Sequence, residues 1–195
     1  MAGVDASKVL VGAPDQSGVA GAISMAPIGT DLPETARDEV DSAFKSSGYV
    51  SSEGVNVTPT LNTTEVTDWN GDVIRTLLES FNGTVGFSLI QFDGASAQMV
   101  FGADNVTINP ATSTTGEQVN VAIGASLPTA KSWVFRMKDG DALIRIVLPN
   151  AQVTDWSEMT FAKNTPIPLP ATLTCNADPT GKSIYIYTDD GVFSE

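Results

Sequence analysis

The chain of 195 residues has no histidine and one cysteine. Without His it lacks the usual general base at neutral pH and the commonest metal ligand. A single Cys excludes an internal disulfide framework and a multi-thiolate metal site. Cys175, in the run ATLTC, reads as a small buried hydrophobe on a strand. Basic residues are scarce, 10 against 23 acidic, for a net charge of −13. That balance keeps a protein solvated and repels other polyanions. It opposes direct nucleic-acid binding, which needs Lys and Arg to displace counterions from phosphates. From 76 to 130 there is no Lys or Arg, while Glu79, Asp93, Asp104 and Glu117 fall inside. Either basic residues are absent there by chance, or a surface is kept free of positive charge. Long hydrophobic runs are missing too. The apolar stretch 9–29 is broken by Pro14, Asp15 and Pro27 and follows no basic region. It reads as neither a signal peptide nor a membrane span, so folding in a cytoplasm is expected.

Catalytic patterns are absent as well. The chain has no GxxxxGK[ST], GxGxxG or GxSxG. Asp38/Glu39 and Asp189/Asp190 sit on a predicted helix surface and a turn, not facing one cleft as a hydrolase pair must. Asp139-Gly140-Asp141 and Asp189-Asp190-Gly191 lack the spacing of an EF-hand. Neither a catalytic site nor a metal or cofactor site is expected, and the chain is not expected to be an enzyme. The sequons at Asn56, Asn62, Asn82 and Asn105 are read as products of Thr-rich strands and turns.

What remains is mostly β. The stretch 65–102 holds two Asn-Gly pairs, Asn70-Gly71 and Asn82-Gly83, flanked by runs rich in Val, Ile, Thr and Phe. Asn-Gly favours a tight hairpin turn. Three antiparallel strands are predicted, at 65–69, 72–81 and 84–92. In the second, Val73, Leu77 and Phe81 share a face with Arg75 and Glu79. Asp93 then caps a short helix through its carboxylate, with Ala97, Val100 and Phe101 at helical spacing and Gly102 ending it.

The flanking segments read in order. Residues 1–31 form an extended arm with a short strand at 8–12, lying on a neighbouring subunit or on the domain's own sheet. Residues 32–48 have the spacing of an amphipathic helix, with Asp31 as cap, Pro33 in the first turn and Ala36, Val40, Ala43 and Phe44 on one face. Residues 49–64 form a long polar loop or hairpin. Short strands follow at 105–108 and 118–123. Residues 131–148 form a hairpin closed by Asp139-Gly140. One of its faces is Trp133, Phe135, Met137, Ala142, Ile144 and Ile146, and the other carries Arg136, Lys138, Arg145 and Asp141. VTDW at 66–69 recurs at 153–156, a sign of two similar halves packed as a sandwich. Strands at 168–176 and 182–187 complete a single domain spanning 32–191, before a tail at 192–195.

In this order, the Trp-x-Gly turn, the strand FSLIQF, and the short helix closing on FGADNV resemble the major tail protein of long-tailed, siphovirus-type bacteriophages. That family is also called the tail tube protein, and the resemblance is to the form found in phages of actinobacteria. The resemblance extends into LPETARDEVDSAFKSSGYVSSEGV and GKSIYIYTDDG. It implies a mainly β tail-tube sandwich with one or two short helices, whose inner sheet joins those of neighbours into a ring-wide β-barrel. Six copies would form a ring, rings would stack, and genome DNA would pass through without specific binding. The implied partners are a tape-measure protein, tail-assembly chaperones, a tail terminator and tail-tip proteins. The implied place is the tail of the virion, assembled in the host cytoplasm. A loop near 49–64 would reach the adjacent ring.

Two surfaces follow from that reading. The basic face of Arg136, Lys138 and Arg145 is a candidate subunit interface for a neighbour's acidic surface. Glu79, Asp93 and Glu117 are candidate lumen-facing acids. The rival reading is a monomeric immunoglobulin-like domain used for binding or adhesion, which explains the strands equally well.

Overall fold

A computed structural model describes residues 4–5, 8–15 and 21–193. Alternating apolar and polar residues make eleven strands: β1 (Ala13–Pro14), β2 (Ile23–Ala26), β3 (Lys45–Ser46), β4 (Val50–Thr67), β5 (Val73–Leu89), β6 (Val106–Asn109), β7 (Gln118–Val121), β8 (Lys131–Asp139), β9 (Ala142–Asp155), β10 (Leu169–Asn176) and β11 (Tyr185–Asp189). Nine of them form one antiparallel sheet in the order β3-β2-β8-β9-β10-β5-β4, with β1 also paired to β8 and β11 to β9. β6 and β7 pair separately. The architecture is a sandwich-like β fold, as expected.

The main hydrophobic cluster lies on one side of the sheet, while β8 and β9 also bury Val134 and Val147 on the other. In β5 and β10 the odd residues, Val85, Phe87, Leu89, Leu169, Ala171 and Leu173, are buried, and the even ones between them are only partly covered. Period-2 alternation produces this. Phe87 packs against Trp133 and Phe135, with ring centroids at 5.7 and 5.8 Å. Fully burying each such side chain contributes about 1.5–3 kcal/mol. Helix α1 (Gly94–Phe101) closes the core with Ala97, Met99, Val100 and Phe101. Its cap is the expected one: Asp93 Oδ1 accepts from Ser96 N–H at 2.7 Å, and Gly102 at φ +84° ends the helix.

Four local expectations need correction. The first is Asn82-Gly83, which is no turn. The second and third predicted strands are one strand, β5, in which Asn82 pairs with Thr60 while Gly83 faces Pro59 and Cys175. Gly83 does not need positive φ. A Cβ there would lie 2.9 Å from Ile184 Cδ1 and 3.0 Å from the Phe81 ring, so the glycine admits close packing. Asn70-Gly71 does close a hairpin, but Asp68 organises the loop by accepting from the N–H groups of Asn70 and Asp72, and only Gly71 has positive φ.

The second concerns the hairpin turn at Asp139-Gly140. Asp139 pairs with Ala142, leaving Gly140 (φ +58°) and Asp141 as the loop. Gly in the first loop position with the second at negative φ suits a type II′ turn. With Asp139-Gly140 as the two-residue loop Phe135 would face Ile144; with the loop at Gly140-Asp141 it faces Ile146. A slip of two residues keeps every side chain on its predicted face.

Third, residues 32–48 are not helical. Asp38 Oδ2 accepts from the N–H groups of Glu34 and Thr35, and Asp41 Oδ1 from that of Ala43. Side chains thus take the donors that a helix needs. Arg145 Nη1 takes two of the carbonyls, those of Thr35 and Asp38, at 2.9 and 2.7 Å. Last, residues 8–12 form no strand. The nearby strand is β1, while β2 pairs with β8, so both lie on the domain's own sheet.

Candidate assembly surface

β4 and β5 outrun the sheet that holds them. Their inner halves carry Val55, Val57, Val85 and Phe87 on the core. β10 leaves β5 at Gly83, and no other described strand flanks the pair beyond it. The ribbon from 60 to 82 therefore has both faces in solvent. Leu61, Ile74, Leu78 and Phe81 are exposed on it, and Trp69 at its tip is fully exposed. A lone two-stranded ribbon is marginally stable, and so much bare apolar surface marks an interaction site. The outer edge of β4 pairs with no described strand, which makes it a template for another chain. At the ribbon's foot an open cleft of about 650 Å³ is lined by Val57, Pro59, Phe81, Ile184 and Ile186.

The three basic candidates sit elsewhere, on β8 and β9, and the fold brings them close together. Arg136 is directly across from Arg145. Arg136 Nη2 donates to the Gly21 carbonyl at 2.8 Å. Arg145 is only 7% exposed, and burial lowers its pKa below the usual guanidinium range. Lys138 Nζ lies 3.7 Å from Asp15. The cleft beside them, about 420 Å³, also contains Asp38 and Glu39, so acids already balance its charge. The chain's own N-terminal segments thus occupy much of this face.

The three acidic candidates are separate from one another. Glu79, on the ribbon, accepts a hydrogen bond from the Thr64 hydroxyl. Asp93 caps α1, and its pKa is lowered: burial opposes the shift, and the Ser96 and Gln91 hydrogen bonds outweigh it. Glu117 is exposed just ahead of β7. The two VTDW copies also part company. Trp156 donates Nε1–H to the Val100 carbonyl at 3.0 Å, while Trp69 touches solvent alone.

Two constellations were not read from the sequence. Arg37 grips the Asp189 carboxylate with Nε at 2.5 Å and Nη2 at 2.9 Å, and its guanidinium lies 4.9 Å from the Phe193 ring centroid. The hydrogen bond from Arg37 holds the Asp189 carboxyl at about 2. Asp178 accepts from the Tyr185 hydroxyl at 2.6 Å and the Thr180 hydroxyl at 2.7 Å, which bring its pKa to about 2. The turn-like run Asp178-Pro179-Thr180-Gly181 is a local signal for the second. The first joins residues 152 apart and leaves no local trace. Cys175 is buried, which pushes its thiol up to about 12. Among the described residues, no cluster could hold a metal ion and no helix is long and apolar enough to cross a membrane.

The sequence profile of phage tail tube proteins matches residues 3–193. The chain belongs to the phage tail tube protein family. It is a structural protein of the virion, not an enzyme, and it assembles with other tail proteins. No curated protein is similar to it in sequence. A solved structure described as the cryo-EM structure of the anti-feeding prophage cap (AFP tube terminating cap) is similar at 14% identity and a TM-score of 0.43. The alignment covers 81% of this chain and all of that one. For a tail tube protein, the uncovered ribbon, the free β4 edge and the apolar cleft are the surfaces available for assembly.

Proposed function

We propose that this chain forms hexameric rings that stack into the tail tube, the conduit for genome DNA ejection. Neighbouring sheets join through the free edge of β4 into a ring-wide β-barrel, and the ribbon from 60 to 82 lies against an adjacent copy. The observation that carries this reading is the ribbon itself. Its apolar side chains and unpaired edge gain burial and hydrogen bonds only from another chain. The net charge of −13 and the basic-free stretch from 76 to 130 support passage of DNA without binding. A tape-measure protein, tail-assembly chaperones, a tail terminator and tail-tip proteins are the proposed partners. Arg136, Lys138 and Arg145 contribute to a ring contact only where their donors remain unspent.

The test is negative-stain electron microscopy of the concentrated protein, with its mass in solution. Stacked rings with a central channel are expected, either alone or on added tail tips. A strict monomer under both conditions overturns the reading.

A further inference from the structure

The chain holds two Asn-Gly pairs, and the fold treats them oppositely. Asn82-Gly83 lies inside β5, where Asn82 pairs with Thr60 and Gly83 is buried between β4 and β10. The side chains of Ile184 and Phe81 close the space beside Gly83. Asn70-Gly71 lies in the loop at the far end of the ribbon, and both residues are exposed. A Cβ at Gly71 would meet nothing within 4 Å. The side-chain amide of Asn70 makes no hydrogen bond with the described residues. Only backbone groups are held there: Asp68 Oδ1 accepts from the N–H groups of Asn70 and Asp72, each at 2.9 Å, and Gly71 N–H donates to the Asp68 carbonyl at 3.1 Å. A loop with exposed hydrogen bonds and no packing around it opens at low cost.

We infer that Asn70 is a self-modification site, where the chain's own backbone converts the side-chain amide to aspartate and isoaspartate. The Gly71 nitrogen bonds to Asn70 Cγ and gives up its proton. The Cγ–Nδ2 bond breaks, and Nδ2 leaves with that proton as ammonia. A succinimide ring then joins the two residues. Water opens the ring at either carbonyl. Aspartate forms where the bond from nitrogen to Cγ breaks, and isoaspartate where the bond from nitrogen to the Asn70 backbone carbon breaks. Glycine suits the attack, because no Cβ shields its nitrogen or limits its backbone. At Asn82 the same ring would require β5 to leave its neighbours on both sides. The product adds a carboxylate between Asp68 and Asp72, at the tip that the tube reading above docks on another copy. Like charges gathered there oppose docking in a chain already at −13.

The test is mass spectrometry of the full chain incubated at mildly alkaline pH, both folded and in guanidinium chloride. Trypsin separates the two pairs, with Asn70 in the fragment 46–75 and Asn82 in 76–131. In the folded protein, fragment 46–75 should gain the mass of an amide-to-acid change about tenfold faster than 76–131, a factor that takes about 1.4 kcal/mol of extra opening cost at Asn82. In denaturant the two should convert at similar rates. Asn70→Gln should abolish the gain in 46–75, because glutamine closes its larger ring slowly. An Asn70 that stays an amide in the folded protein overturns the inference, as do equal rates for the two fragments there. A gain that survives Asn70→Gln belongs to Asn56 or Asn62 and overturns it too. The effect on assembly is read separately: Asn70→Asp should raise the concentration needed for tubes. Tubes unaffected by that change refute this consequence alone. No tubes from either chain refutes the tube reading itself.

Discussion

Arg145 Nη1 holds the carbonyl oxygen of Asp38 at 2.7 Å, across 107 residues of chain, and the carbonyl of Thr35 at 2.9 Å. One buried guanidinium thereby fixes the course of the segment that passes over β8 and β9. Charged hydrogen bonds of this kind are worth more than neutral ones, and removing the donor orphans both acceptors. Arg145→Met should lower stability by about 2–3 kcal/mol. Relief of the like charge on Arg136 offsets part of that loss. Lys138→Ala, at a partly exposed and longer ion pair, should cost at most about 1 kcal/mol. Urea denaturation of the two variants measures the difference, and equal effects would contradict this account.

Asp189 makes stability depend on acid. Its folded pKa, about 2, lies below its ordinary value of 3.8. The unfolded chain therefore takes up the proton first as pH falls. The contribution is complete above the ordinary value and is lost as pH drops through the folded one. Asp189→Asn should flatten the loss of stability between about pH 4 and about pH 2. Asp178 retains its own share there, because its carboxyl is lowered in the same direction. Denaturant midpoints across that range check the slope, and an unchanged slope would count against the Arg37–Asp189 clamp.

Asp93 caps α1 through Ser96 N–H. Asp93→Ala should destabilise the protein by about 1 kcal/mol, and Asp93→Asn by much less, because an amide oxygen still caps. Thermal unfolding of the pair, read with far-ultraviolet circular dichroism, tests this. Equal losses in both variants would show that the carboxylate's charge, rather than the cap bond, matters.

Trp69 touches none of the core. Trp69→Ala should leave the stability of the subunit within about 0.5 kcal/mol of the unmodified chain. If the ribbon docks on another copy, the same variant should raise the concentration needed for tubes. Sedimentation of assembled against free protein reads that change. Assembly unaffected by loss of the tip would place the contact elsewhere on the ribbon.

Local patterns carried much of the fold. The Asp93–Gly102 helix, the faces of the β8–β9 hairpin and the burial of Cys175 follow from caps and period-2 alternation, which act within a few residues. The missing His and the scarcity of Lys and Arg argue against catalysis and DNA capture on composition alone, because those chemistries need particular groups. The order of short motifs carried the family.

Only the tertiary structure decided what neighbours in sequence do not determine. Gly83 reads as a turn, yet Cys175 pairs with it on β10 and keeps the strand straight. Residues 32–48 have helical spacing, yet their donors and carbonyls go to Asp38, Asp41 and Arg145. Arg136 and Arg145 read as an open basic face, yet the N-terminal segments fold back over them. Thr58, Thr84 and Thr174 share one row only because β4, β5 and β10 align in register. Side-chain identity sets what each residue offers. Long-range pairing sets which offers are taken up inside the subunit and which are left for the next one.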